Sequence, residues 1–145
     1  MEALDQHIVS LLAGNGRMSF TDLGKATGLS TSAVHQRVKR LEQRGLIKGY
    51  SATIDYHQVG LPLTAFISIR PIDPSEPDDS PDRLSEISEI ESCWSVAGDE
   101  SYILKVRVAT PADLEDLLAR VRAVANVSTR TTIVLSTPYE HRPVS

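Results

Sequence analysis

Apolar residues recur along this chain with two different periods, and the change of period divides it. Near the start, Leu4, Ile8, Leu11 and Leu12 fall at i, i+4, i+7 and i+8, the stripe of an amphipathic helix. Gly14, Asn15 and Gly16 are expected to end that helix in left-handed conformations. Ser19 with Asp22 three residues on reads as a capping box. It opens a second helix whose Phe20, Leu23 and Ala26 face inward and which Gly28 breaks. Ser30 caps a third helix running to about Arg44, with Val34, Val38 and Leu41 as its buried stripe. Ser32, His35, Gln36, Lys39, Arg40 and Gln43 lie on its opposite face. Gly45 suits the position after the helix, and residues 46–55 read as a short hairpin turning near Gly49.

Beyond residue 62 the period becomes two. Ala65, Ile67 and Ile69 alternate with Thr64, Phe66 and Ser68, so residues 63–70 form a strand. Residues 71–81, rich in proline and aspartate, form a solvated loop. Ser80-Pro81 supplies a helix cap and first turn, with Leu84, Ile87 and Ile90 on one helical face. Residues 93–97 form a short strand, Gly98-Asp99-Glu100 turns the chain, and residues 102–108 form the next strand. Thr110-Pro111 with Asp113 opens a helix striped by Leu114, Leu117, Leu118 and Val121. Residues 127–135 make the last strand and 137–145 a tail.

The expected fold is therefore α+β. An N-terminal winged helix-turn-helix with a linker strand (1–60) is joined to a C-terminal ferredoxin-like βαββαβ domain (61–136). The latter is a four-stranded antiparallel sheet with both helices on one face. Its other face, with Phe66, Trp94 and Val134, would be left wet in a monomer, and pairing with a second copy is the economical cover.

Net charge is −4, which alone argues against a nucleic-acid partner. The two regions disagree with that total. Residues 1–60 carry seven Lys/Arg against five Asp/Glu, whereas residues 61–145 carry eight against fourteen. Between Ser30 and Tyr50 the bases Arg37, Lys39, Arg40, Arg44 and Lys48 face one acid, Glu42. A basic helix after a Gly turn has the attributes of a major-groove reader, its early polar side chains reaching base edges and its cations meeting phosphates. Double-stranded DNA is the expected partner. Ser30, Thr31, Ser32, His35 and Gln36 are the candidates for base or backbone contact, Arg37, Lys39 and Arg40 for phosphate contact, and Lys48 for the wing.

Other chemistry finds no support. The sequence holds neither GxxxxGK[ST] nor GxGxxG, its four histidines lack metal-ligand spacing, and Cys93 is its only cysteine. No catalytic residue, metal site or cofactor is expected. No apolar run approaches the length of a bilayer span, and the single cysteine suits a reducing compartment, so a cytoplasmic protein without membrane contact is expected, and its expected DNA partner would make it nucleoid-associated.

The run Leu4-Asp5 through Gly16-Arg17-Met18-Ser19, Leu29-Ser30-Thr31-Ser32, Arg37-Val38-Lys39-Arg40-Leu41-Glu42 and Gly45-Leu46-Ile47-Lys48-Gly49-Tyr50 resembles the N-terminal domain of the Lrp/AsnC transcription regulators. Gly98-Asp99, Tyr102-Ile103-Leu104-Lys105 and Thr129-Arg130-Thr131 resemble that family's amino-acid-sensing domain. The resemblance implies homodimers joined through their sheets and assembled into octamers. It also implies an amino-acid effector bound between dimers near Ala97, Gly98, Asp99, Glu100, Ser101, Tyr102 and Leu104. Many members carry an acid where this chain has Ser101, whose hydroxyl makes a weaker, neutral contact. The function so implied is a sequence-preferring transcriptional regulator whose assembly or DNA affinity responds to that effector. The alternative is an effector-independent architectural protein of the same fold.

Overall fold

Helix α1 (Ala3–Gly14) buries Ile8 against α2 (Phe20–Thr27) and α3 (Thr31–Gln43), whose Leu23, Val34, Val38 and Leu41 complete a small aliphatic core. The caps follow the sequence. The Ser19 hydroxyl accepts from the Asp22 N–H at 3.0 Å, and that of Ser30 from the Ala33 N–H at 3.2 Å. After α3 the chain reverses in a Schellman motif, with Gly45 at φ 75° donating to the Glu42 carbonyl and Leu46 to that of Leu41. This computed structural model describes residues 1–144. They fall into two units, one of residues 1–53 with the tail from Pro138, the other Ile54–Thr137.

Three expectations for the first unit need correction. Helix α1 ends without a left-handed residue: Asn15 is extended (φ −151°), and its side-chain oxygen accepts from the Arg17 N–H at 3.1 Å, so a side-chain turn does the work. On α2 the inward positions are Leu23 and Gly24, while Ala26 and Phe20 are exposed. Gly24 faces in because a Cβ there would lie 2.6 Å from the Leu29 carbonyl oxygen, so only glycine lets the turn cross the helix this closely. No strand forms in residues 46–55, and no wing hairpin exists among the described residues. Leu46 and Ile47 both donate back to the Leu41 carbonyl, Gly49 lacks the positive φ of a tight turn, and residues 48–55 find no partner strand.

The second unit is a single antiparallel sheet of β1 (Leu63–Pro71), β2 (Ile90–Ser95), β3 (Tyr102–Val108) and β4 (Val127–Ile133), in the order β2-β3-β1-β4. Helices α4 (Ser80–Leu84) and α5 (Pro111–Ala125) connect the strands, giving the ferredoxin-like βαββαβ sequence. Register sets Ala65 opposite Val106 and Ile67 opposite Leu104. These side chains are buried with Leu117 and Val121 of α5. Thr110 caps α5 reciprocally, accepting from the Asp113 N–H at 3.1 Å and donating to the Asp113 carboxylate at 2.9 Å.

Helix α4 is shorter than its apolar spacing suggested. After Leu84 the chain takes successive i→i+3 turns, Ile87 donating to Leu84 and Ile90 to Ile87, and Ile90 opens β2 opposite Val106. The same three-residue spacing serves both a helix face and a string of tight turns. Strand β2 accordingly starts before residue 93, and β4 stops at Ile133. On the face away from the helices, Phe66 and Trp94 stack with ring centroids 6.4 Å apart, and Trp94 remains 46% exposed.

Candidate nucleic-acid interface and effector loop

The sequence of α3 alternates two demands: apolar residues at 34, 38 and 41 hold it to the core, and the positions between present polar groups. Thr31, Ser32, His35, Gln36, Lys39 and Arg40 are all exposed, as are Ser30 before the helix and Lys48 after it. Ser30 has spent one acceptor on its cap and lies 3.3 Å from the Ser32 hydroxyl. The His35 ring leans on Phe20 of α2, with centroids 5.1 Å apart at 47°. That contact explains why Phe20 is not inward and fixes His35 at the rim where the two helices meet. Lys39, Arg40 and Lys48 carry no ion pair among the described residues.

Arg37 differs from its neighbours. Its Nη1 donates to Glu2 at 2.7 Å and to Asp5 at 3.1 Å, and its side chain is only 20% exposed. The hydrogen bond to Glu2 and then that to Asp5 raise the guanidinium further above its ordinary value. It is therefore a cation committed within the helical unit. Nothing in its local sequence showed this, because its partners lie 32 and 35 residues away.

In the second unit, residues 97–101 join β2 to β3 as a braced loop. The Ser101 N–H donates to the Ile69 carbonyl at 2.9 Å, and the Val96 N–H to the Ser101 carbonyl at 3.1 Å. The Arg70 guanidinium donates to the Asp99 carbonyl through two nitrogens, Nε at 2.9 Å. Glu100 lies 3.7 Å from Arg130. Ala97, Gly98 and Asp99 are exposed, and Glu100 and Ser101 half-buried. Tyr102 is buried, and its hydroxyl donates to Asp78 Oδ1 at 2.9 Å. That bond, then burial, raises the phenol above its ordinary value. Leu104 is fully buried in the core between sheet and helices, so its side chain is not on the loop surface.

Sequence reasoning missed Arg70 and Asp78, the two side chains that anchor this loop. Both are remote from it along the chain, and only the sheet register brings Arg70 to Asp99. A separate cleft of about 330 Å³ is lined by Tyr56, Leu61, Ser88, Glu89, Glu91 and Arg107. There Glu91, displaced by a bulge in β2, bridges Lys105 at 3.4 Å and Arg107 at 3.5 Å. No His/Cys/Asp/Glu cluster able to hold a metal ion occurs among the described residues, and none of their helices is long and apolar enough to cross a membrane.

The family model for the AsnC-type helix-turn-helix domain matches residues 1–42, and that for the Lrp/AsnC ligand binding domain matches residues 64–144. The chain is 54% identical over 142 residues to the HTH-type transcriptional regulator LrpA of Mycobacterium tuberculosis, covering 98% of this chain and 95% of that protein. This chain belongs to the Lrp/AsnC family of transcriptional regulators. Within that family it is also 32% identical to the leucine-responsive regulatory protein of Escherichia coli (strain K12), covering 93% of this chain and 85% of the relative.

Solved Lrp/AsnC structures share the whole architecture. The feast or famine regulatory protein of M. tuberculosis complexed with L-methionine matches with a TM-score of 0.97 at 53% identity, covering 99% of this chain and 97% of the other. E. coli AsnC matches at 0.85 and 28% identity, covering 99% and 97%. The α+β organisation, a helix-turn-helix followed by a four-stranded antiparallel sheet with helices, is thus that of the Lrp/AsnC regulators. The basic, exposed α3 is the second helix of its helix-turn-helix, and the braced 97–101 loop lies in its ligand-binding domain.

Proposed function

We propose that this Lrp/AsnC regulator reads DNA through the exposed face of α3 and that an amino acid bound at the 97–102 loop modulates its assembly or its DNA affinity. The observation that carries the reading is that Lys39 and Arg40 of α3 have no ion pair among the described residues and stand beside an exposed row of polar side chains. Ser30, Thr31, Ser32, His35 and Gln36 contact bases or backbone, Lys39 and Arg40 neutralise phosphates, and Lys48 adds a flanking phosphate contact. Two-fold dimers then favour roughly palindromic sites with half-sites about 10 bp apart or a multiple of that.

The relative that binds L-methionine supports an α-amino acid as effector. The Arg70-braced loop offers backbone groups of Gly98 and Asp99 and the carboxylate of Glu100 at an open surface, which a second dimer completes. A ligand seated between dimers touches two surfaces that coexist only in the assembled form, so it shifts assembly by its differential affinity. Dimers joined through the Phe66–Trp94 face and gathered into octamers are the proposed assembly. The protein has no catalytic role in this reading and acts in the cytoplasm at the nucleoid.

Fluorescence anisotropy tests it with labelled duplex from the protein's own upstream region, a random duplex, a salt series and a panel of amino acids. Preferential binding that shifts with one amino acid is expected. Equal binding to both duplexes, untouched by the panel, would leave an effector-independent architectural protein.

A further inference from the structure

We propose that the Glu2–Asp5–Arg37 triad is a positioning and attenuating device: Arg37 docks α3 on α1 without touching DNA, and Glu2 lowers the affinity of the adjoining surface for phosphate. The inference rests on the DNA-binding reading of α3.

Geometry carries the first half. The core shared by the three helices is small and aliphatic, and apolar packing resists separation far more than it resists rotation or sliding. An ion pair with a directed N–H donor supplies the missing angular constraint. Asp5 is the structural partner, its side chain 14% exposed, and both acids stand at the start of α1, where the helix dipole also favours them. Arg37 thus lies on the edge of α3 that faces α1, while Gln36, Lys39 and Arg40 remain exposed.

Charge carries the second half. One guanidinium facing two carboxylates leaves a net −1 where the start of α1 meets α3, the helix that bears the free cations. Arg40 follows Arg37 by one turn, about 4.5 Å of rise, well inside the screening length of about 8 Å at physiological salt. Glu2 is 71% exposed, so its bond to Arg37 adds little to folding, whereas its charge is open to solvent and acts on any anion that approaches the α3 cations.

The test measures binding of the full chain to specific and random duplexes across a salt series, for wild type, Glu2→Gln, Arg37→Gln and Arg37→Lys. Glu2→Gln is expected to tighten binding to both duplexes roughly twofold at low salt, fading as salt rises. Arg37→Gln leaves both acids without their counter-charge, so it is expected to weaken both duplexes about twofold at low salt and, beyond that, to reduce the ratio of specific to random affinity about tenfold or more with its salt slope kept; Arg37→Lys is expected to recover part of that ratio. A phosphate contact behaves differently: Arg37→Gln would then weaken both duplexes alike and lower the slope by about 0.9. That result, or an unchanged affinity in Glu2→Gln, overturns the proposal while leaving the DNA reading intact. Should Arg37→Gln fail to fold, Glu2→Gln decides alone. A wild-type chain with no salt-dependent affinity for either duplex removes both the proposal and the reading beneath it.

Discussion

The two units treat their positive charges in opposite ways. Of the cations in residues 1–53, Arg37 alone has an ion-pair partner among the described residues, while Arg17, Lys25, Lys39, Arg40, Arg44 and Lys48 stand in solvent. In Ile54–Thr137 every cation is engaged. Arg83 holds Asp79, Arg120 holds Glu89, and Lys105 and Arg107 share Glu91. Arg70 binds the Asp99 carbonyl, Arg122 donates to Thr129, and Arg130 lies by Glu100. Paired cations shape the unit that holds them, whereas unpaired ones are available to an anion from outside. The acidic total of the chain reflects the sheet unit and hides the basic excess of the helical one.

The largest effect expected from breaking this comparison lies in the sheet unit. Leu104→Ala should destabilise it by about 2–5 kcal/mol in chemical denaturation, because the side chain is wholly enclosed. Any lost amino-acid response in that variant then follows from unfolding, and a stable variant with a lost response would return Leu104 to the binding surface. Next comes Gln36→Ala, expected to cost about 1–3 kcal/mol on the preferred duplex and little on random DNA. Equal losses on both would remove it from base reading.

Arg40→Ala and Arg120→Ala make a matched pair across the two units. The first should lower the salt slope of DNA binding by about 0.9 and leave thermal stability unchanged. The second should leave the slope alone and cost the sheet unit no more than about 1 kcal/mol, since both partners are partly exposed. A change in slope for Arg120→Ala would blur the division. The smallest effect concerns acid. The hydrogen bond from Arg120 holds the Glu89 carboxyl below its usual range. Its contribution to stability is therefore present above the unfolded-state value and lost as pH falls through the depressed folded one. Acid unfolding of wild type and Arg120→Ala should accordingly converge at low pH, and a constant gap would deny the linkage.

How much could be read beforehand depended on whether the partners were local. Ser19, Ser30 and Thr110 cap helices within three residues of themselves, and all three caps were legible, as was the alternation of Ala65, Ile67 and Ile69. The inward face of α2 was misread because Gly24 packs by lacking a side chain, and a search for apolar residues passes over it. The wing failed because extended residues become a strand only by finding a partner, and residues 48–55 have none among the described residues. In the candidate sites, the exposure of Gln36, Lys39 and Arg40 followed from helical period alone. The engagement of Arg37 by Glu2 and Asp5, and of Tyr102 by Asp78, followed from tertiary packing and had no local signature.

The stacked pair on the open sheet face has a practical consequence. Trp94 is the only tryptophan in the chain, so excitation at the red edge of protein absorbance interrogates that face and nothing else. An indole 46% open to water emits as a hydrated fluorophore, and one covered by a second copy emits to the blue. Dilution followed by its emission colour thus becomes an optical gauge of association, readable without a label and in the presence of DNA or any transparent small molecule.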